Sequence, residues 1–465
     1  MWTKPWTMKE GFLIGGGLIL AGLALELSAG PVVWDAFAWP VNGFVLAGFL
    51  ALIVVCFLLR KKVYAFQFIG TYQAAIPAMV YAVVLTIIMG VTRQKVGGTW
   101  LNDMLSFWPF VLIYTYIDVI LGFITLKRLS TLSWYGNVRN IAFLLNHLGL
   151  FLALTTATLG HADMQRVKMI CGIDEPEWRA MTNDGRLLEM PIAIELKQFI
   201  METYDDGSPK RYASQVEIVT KTFKDIKTII DVNKPYEVDG WKIYQYGYDT
   251  RMGAQSQVSI FELVTDPWLP FVYTGIYMLL GGTLLLVVYT RWRMKRLLPI
   301  GALLVVALAI VSYLIPIIRS TTLVPALQSP WFFPHILVYI VCYSLMGVAA
   351  VMAIYLLVKK KDPHIVDNLV FIGIIFMTFG MMFGAFWAKE AWGHYWSWDP
   401  KETWAAITWL AYLTYIHYRQ QPRHHERLAL WILIISFMLL QMCWWGVNYL
   451  PSAQGSSVHT YNTSE

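Results

Sequence analysis

Residues 392–404 read WGHYWSWDPKETW, four tryptophans and a tyrosine edged by Asp399, Lys401 and Glu402. Six indoles fall between 387 and 409, at Trp387, Trp392, Trp396, Trp398, Trp404 and Trp409. A tryptophan belt at a membrane surface needs only one or two per span, so the excess reads as a flat, apolar binding surface. His335, in SPWFFPHILVY, and His459 bracket this stretch in sequence. Two neutral imidazoles beside a bed of aromatic faces are what a haem requires, axial nitrogens for the iron and flat apolar contacts for the porphyrin. The charged propionates of such a ring would look for cations at the rim, where Lys389 and Lys401 stand. Asp399-Pro400 resembles a helix start, the carboxylate capping the first amides and the proline occupying the first turn.

Two further histidines lie inside apolar runs, His147 in NIAFLLNHLGLFLAL and His417 in WLAYLTYIHYR. Ionisable residues within a span are costly and are functional candidates by default. Either alone reads equally well as a helix-packing residue; as a pair at similar depth they could grip one metal ion from opposite sides. His161 reads as an interfacial polar residue, and His394 lies within the aromatic stretch. His364, His424 and His425 sit among basic residues and read as solvated loops. The cysteines, Cys56, Cys171, Cys342 and Cys443, form no CxxC pair, which argues against a disulfide framework, a redox dithiol or a cysteine zinc site.

The elements that must position these side chains belong to a membrane. The 465-residue chain is 57% hydrophobic and 14% charged, with a mean hydropathy of +0.51, whereas a soluble domain carries nearer a quarter charged residues. Apolar runs long enough for a hydrocarbon core occur near 11–29, 41–59, 72–91, 106–126, 139–160, 269–289, 298–318, 335–358, 368–388, 403–420 and 429–448. MWTKPWTMKE precedes the first without a small-residue cleavage site, so that run reads as an uncleaved span. Residues 161–268 are polar and alternate like strands, and YEV-DG-WKIYQY signals a tight hairpin. The expected fold is an all-α polytopic membrane protein of about eleven transmembrane helices with one small β-rich extracytoplasmic domain. The expected division is a membrane region at 1–160, the β domain at 161–268 and a second membrane domain at 269–465.

Lysine and arginine set the orientation. Arg60-Lys61-Lys62, Lys127-Arg128, RWRMKR at 291–296, KKK at 359–361 and HYRQQPRHHER at 417–427 fall in alternate connections. Those connections and the N-terminus are expected on the cytoplasmic side. The β domain, the aromatic stretch and the C-terminal tail are then extracytoplasmic. His147 and His417 fall in the inner half of the bilayer, His335 and His459 outside it. The formal charge of +6 reflects this asymmetry and does not point to nucleic acid.

WGHYWSWDPKETWAAITWLAYLTYIHYR resembles the tryptophan-rich "WWD" signature of the haem-handling proteins of cytochrome c biogenesis. LVPALQSPWFFPH and WGVNYLPSAQGSSVH resemble the segments carrying the two outer histidines of the CcsA (ResC) branch. DGSPKRYASQV and DVNKPYEVDGWKIYQYGYD resemble the extracytoplasmic domain of its partner CcsB (ResB). The chain thus resembles a compact fused CcsB–CcsA, a system II cytochrome c synthase, over about 139–465. The outer domain is shorter than in many CcsB relatives, and the first 130 residues carry no matching motif.

The resemblance implies haem b as ligand and substrate, held inside by His147 and His417 and outside by His335 and His459. Trp387, Trp392, Trp396, Trp398 and Trp404 would contact the ring, and Asp399 joins His335 and His459 as a catalytic candidate. It implies an apocytochrome c with a CxxCH segment as partner, a thioredoxin-like reductant for its thiols, lipid, and a bacterial cytoplasmic (inner) membrane. Two rivals stand beside it: a haem exporter or chaperone without ligation chemistry, and a b-type membrane cytochrome that carries electrons.

Overall fold

The computed structural model describes residues 2–95, 97–98, 100–131, 138–183, 185–221, 225–294, 323–359 and 364–454, without the side chains of 290–294. The expected span at 298–318 and His459 lie outside these residues. Ten of the apolar runs form long helices. They are α1 (Met8–Ala29), α2 (Val41–Leu59), α4 (Tyr72–Val91), α5 (Trp108–Leu129), α6 (Val138–Gly160), α7 (Leu269–Met294), α8 (Phe332–Lys359), α9 (His364–Trp392), α10 (Pro400–Gln420) and α11 (Glu426–Trp444). A single short helix, α3 (Tyr64–Ile69), joins α2 to α4. Nine of the described helices are long and apolar enough to cross a membrane, and the protein is a multi-pass membrane protein. Helix α10 is not among the nine. It is rich in threonine and tyrosine and sits inside the bundle, with Tyr412, Tyr415 and Tyr418 almost wholly buried.

Glycine lets the helices touch where the chain leaves and re-enters the bundle. A Cβ on Gly149 of α6 would meet the Gly275 carbonyl of α7 at 2.7 Å, and one on Gly275 would meet the Gly149 carbonyl at 2.6 Å. Only glycine permits that approach of backbones, as at small-residue crossings in membranes generally.

Between α6 and α7 lies one antiparallel eight-stranded sheet. Its strands are β1 (Gln165–Gly172), β2 (Pro176–Thr182), β3 (Leu187–Thr203), β4 (Pro209–Thr220), β5 (Asp225–Asp231), β6 (Tyr236–Val238), β7 (Trp241–Tyr248) and β8 (Val258–Thr265). The order is β5-β4-β3-β2-β1-β8-β7-β6, and Gln165 pairs with Thr265. First and last strands are therefore neighbours, just as the helices that feed them are. Alternate residues of the strands point to one core, including Met169, Ile194, Ile218, Ile243 and Phe261. Ser214 of β4 and Ser259 of β8, not neighbours in the ladder, share a buried 2.6 Å hydrogen bond, so the sheet curls over on itself. The expected hairpin is present: Val238 pairs with Trp241, and Asp239 and Gly240 take φ of +46° and +81°, the pair of positive angles that a two-residue turn demands.

Candidate functional site

The bundle brings His147 and His417 together at the end away from the sheet. Their ring centroids are 6.4 Å apart, at 67° between planes. The Nδ1 of His147 bonds the carbonyl of Phe143 at 2.8 Å, and that of His417 bonds the carbonyl of Leu413 at 2.8 Å. A carbonyl only accepts, so in each neutral ring Nδ1 carries the proton and Nε2 keeps the lone pair. Such a bond to the second nitrogen is how metal-ligating histidines are oriented. Imidazole nitrogens bond first-row metals at about 2 Å, so with roughly 1 Å more to each ring centre, two rings on one ion stand about 6 Å apart. The observed separation fits that length. Two donors are too few for a bare ion and suit a metal that brings its own equatorial ligands, as haem iron does. Aromatic rings bound the pair: Phe143 stacks on His147 at 3.9 Å, and Tyr72 of α4 meets His417 edge-on at 6.2 Å.

At the sheet end, His335 occupies the first turn of α8. Its Nδ1 bonds the Gly380 carbonyl of α9 at 2.9 Å, the same tautomer choice again. Gly380 and Gly384 make this possible. A Cβ on Gly384 would lie 2.9 Å from the His335 ring, and one on Gly380 would lie 2.7 Å from Tyr339. The GxxxG spacing of Gly380 and Gly384 in α9 is the sequence signal for this close crossing.

The six indoles divide into groups. Trp387 lies 5.4 Å from His335 and 5.2 Å from Trp392, with its Nε1 donating to the Ala326 carbonyl at 2.6 Å. These three form one aromatic face, joined by Tyr339. Trp396 and Trp398 meet edge-on at 5.7 Å, and Trp398 packs on Phe110 and Tyr114 of α5. Trp404 is buried against α4, its Nε1 donating to the Gly90 carbonyl at 3.3 Å, and Trp409 donates to Thr378 of α9. The structure thus brings Trp387 and Trp392 to His335 and sets Trp404 and Trp409 in helix contacts.

Asp399 is the N-cap of α10. Its side chain accepts from the Lys401 amide at 2.9 Å, with Pro400 in the first turn. Glu402 completes a capping box and receives the amides of Ser397 at 2.8 Å and Asp399 at 3.2 Å. The two residues before the aromatic run also find partners. Lys389 is buried and donates to the Gly393 carbonyl at 2.8 Å, while Glu390 accepts from Ser329 at 2.6 Å. Beside Lys389, burial pushes the carboxyl of Asp266 above the usual range, and the lysine charge offsets part of that rise.

Residues 269–453 match the family described as Cytochrome C assembly protein, and residues 130–256 match the ResB-like family. The cytochrome c biogenesis protein CcsA of Guillardia theta is 30% identical over 230 residues, covering 41% of this chain and 75% of that protein. CcsA of Chlamydomonas reinhardtii is 36% identical over 158 residues, 31% of this chain and 44% of its own. CcsA of Cuscuta exaltata is 32% identical over 184 residues, 31% of this chain and 58% of its own. The chain therefore spans about half the length of these last two relatives.

Proposed function

Because the chain belongs to the CcsA family of cytochrome c biogenesis proteins and carries a ResB-like portion ahead of the CcsA-like one, we propose that it moves haem across a bacterial cytoplasmic membrane and attaches it covalently to apocytochrome c. The observation that carries this reading is the His147–His417 pair at one end of the bundle and His335 at the other, each of the three rings oriented through Nδ1 on a backbone carbonyl. On this reading His147 and His417 receive haem b near the cytoplasmic leaflet. His335 and His459 hold it on the outer face, with Trp387 and Trp392 against the ring. The membrane domains at 1–160 and 269–465 are the conduit, and the β domain at 161–268 is extracytoplasmic and meets the substrate polypeptide.

Haem supplies the vinyl groups, and the CxxCH thiols add across them: a C–S bond forms, the thiol proton passes to the neighbouring vinyl carbon, and no net oxidation occurs. The chain's own task is to hold the partners in register, which converts a bimolecular encounter into a local one. Apolar walls around His147 and His417 keep water from the ring, and the aromatic face at His335 does the same outside. The substrate's thiols need a thioredoxin-like reductant. Asp399 acts by fixing the start of α10 and so the placement of the indoles before it.

In a host without its own maturation genes, the chain should yield covalent cytochrome c, and His335→Ala or His459→Ala should abolish it, with partial rescue by imidazole. His147→Ala and His417→Ala should lower the haem that co-purifies. Haem export without covalent product would favour a carrier, and normal maturation by the His335 and His459 variants would defeat the outer-site assignment.

A further inference from the structure

Arg128 lies in the last turn of α5, two residues before the ResB-like match begins. Its guanidinium stands 4.9 Å over the ring of Phe143, and its Nη2 donates to the side-chain oxygen of Asn140. Phe143 in turn lies stacked on His147, with centroids 3.9 Å apart and planes 21° apart. Asn140, Phe143 and His147 are spaced three and four apart, so they form one face of α6, and Arg128 crosses onto that face from α5. The Nε of Arg128 is buried and has no hydrogen-bond partner. Among the described residues no carboxylate lies within ion-pair distance of the guanidinium. An arginine stays charged in any environment. A buried donor on a permanent cation is unfavourable unless an anion completes it.

We infer that Arg128 receives a propionate carboxylate of the haem held by His147 and His417, so that this centre recognises the acidic edge of the porphyrin as well as its iron. The inference rests on the reading of the inner pair as a haem site. Its chemistry is specific: a guanidinium offers several donors in one plane, matched to a carboxylate. Phe143 links the two functions, since one face carries the imidazole and the ring lies under the cation. The arginine comes from the part of the chain that neither family match covers, so the helices ahead of both matches would contribute directly to ligand selection.

The test uses the full chain, purified in detergent, in a His335→Ala, His459→Ala background that removes both outer ligands. Binding of ferric haem is compared with that of haem dimethyl ester, whose propionates carry no charge. The starting protein should favour the free acid by about tenfold or more, the ratio expected for one hydrogen bond to a charged group. Arg128→Gln should bring the ratio near one while ester binding stays unchanged, and Arg128→Lys should restore part of the preference. Lys61→Gln, which removes an exposed charge from the connection after α2, should leave the ratio alone. A preserved preference in Arg128→Gln, or an equal loss in Lys61→Gln, would overturn the role of Arg128. His147→Ala should abolish binding of both ligands. If it did not, the inner-site reading would fall, and the role of Arg128 with it.

Discussion

Trp398 holds its backbone at φ +57°, in the left-handed region that a bulky L-residue enters at a cost of about 1–3 kcal/mol. Its neighbours keep it there. Glu402 accepts the amides on either side, from Ser397 and Asp399, and Thr403 donates to the Trp398 carbonyl at 3.0 Å. The strained residue stands between the paired indole of Trp396 and the cap of α10, so the strain aims the ring rather than merely closing a turn. Two substitutions separate backbone from side chain. Both Trp398→Ala and Trp398→Gly lose the indole, but glycine takes a positive φ without penalty. Trp398→Gly should therefore be more stable than Trp398→Ala by about 1 kcal/mol, read from their thermal midpoints in the same detergent. Equal midpoints would mean the backbone at 398 is not under load. The Asp-Pro spacing foretold the cap at 399, because a cap is a local device written in adjacent residues. The clamp by Glu402 on residue 397 depends on the unusual φ at 398, which no residue type announces.

Residues 323–329 work as a strap between the sheet and the end of α9. From the sheet, Tyr204 donates to the Leu323 carbonyl at 3.1 Å and Asn233 to the Pro325 carbonyl at 2.6 Å, and Gln328 reaches back to the Lys210 carbonyl at 2.8 Å. From α9, Trp387 holds the Ala326 carbonyl and Glu390 holds Ser329. Six residues beyond the strap stands His335, so the sheet fixes the approach to this histidine through backbone carbonyls. Replacing both Asn233 and Gln328 by alanine removes hydrogen bonds worth about 1–3 kcal/mol together. The double variant should remain folded and retain less haem at the His335 centre, with added imidazole recovering the loss. Unchanged retention would reduce the strap to a plain connection. The sequence made the helices and the hairpin legible, since apolar run length and an Asp-Gly pair are local signals. It could not show the strap, whose partners lie about a hundred residues away and offer ordinary tyrosine, asparagine and glutamine side chains. The indole run was legible as an excess, but not its division into a group at His335 and a group buried between helices.

Across the whole molecule, α4 runs from the inner histidine pair to the seat of the tryptophan-bearing helix α10. Tyr72 at its first turn lies against His417, and Gly90 at its last turn lies about 27 Å away along the axis. There one backbone carbonyl serves two other segments: Gly90 accepts from Trp404 Nε1 at 3.3 Å and from Ser452 Oγ at 2.7 Å. Arg93, just past the helix, donates to the Pro451 carbonyl at 3.0 Å. The tryptophan-bearing helix and the chain's last described segment are thus seated on a helix that precedes both family matches. The missing side chain at 90 matters, because a Cβ there would stand 3.0 Å from Trp404 Nε1 and 3.2 Å from Cε2. Gly90→Val should force α10 and the 447–453 segment off α4, at an overpacking cost of about 1–3 kcal/mol. The two centres should respond differently, because packing strain at one end of a helix is relieved locally before it travels some 18 residues along a hydrogen-bonded rod. Haem absorbance from the His335 end should weaken, while the contribution that disappears in His147→Ala should remain. Spectra of Gly90→Val, alone and combined with His147→Ala, separate the two contributions. Equal loss at both ends would mean that α4 carries strain from one centre to the other, and retention at both would mean that the seat at Gly90 is incidental to the aromatic face.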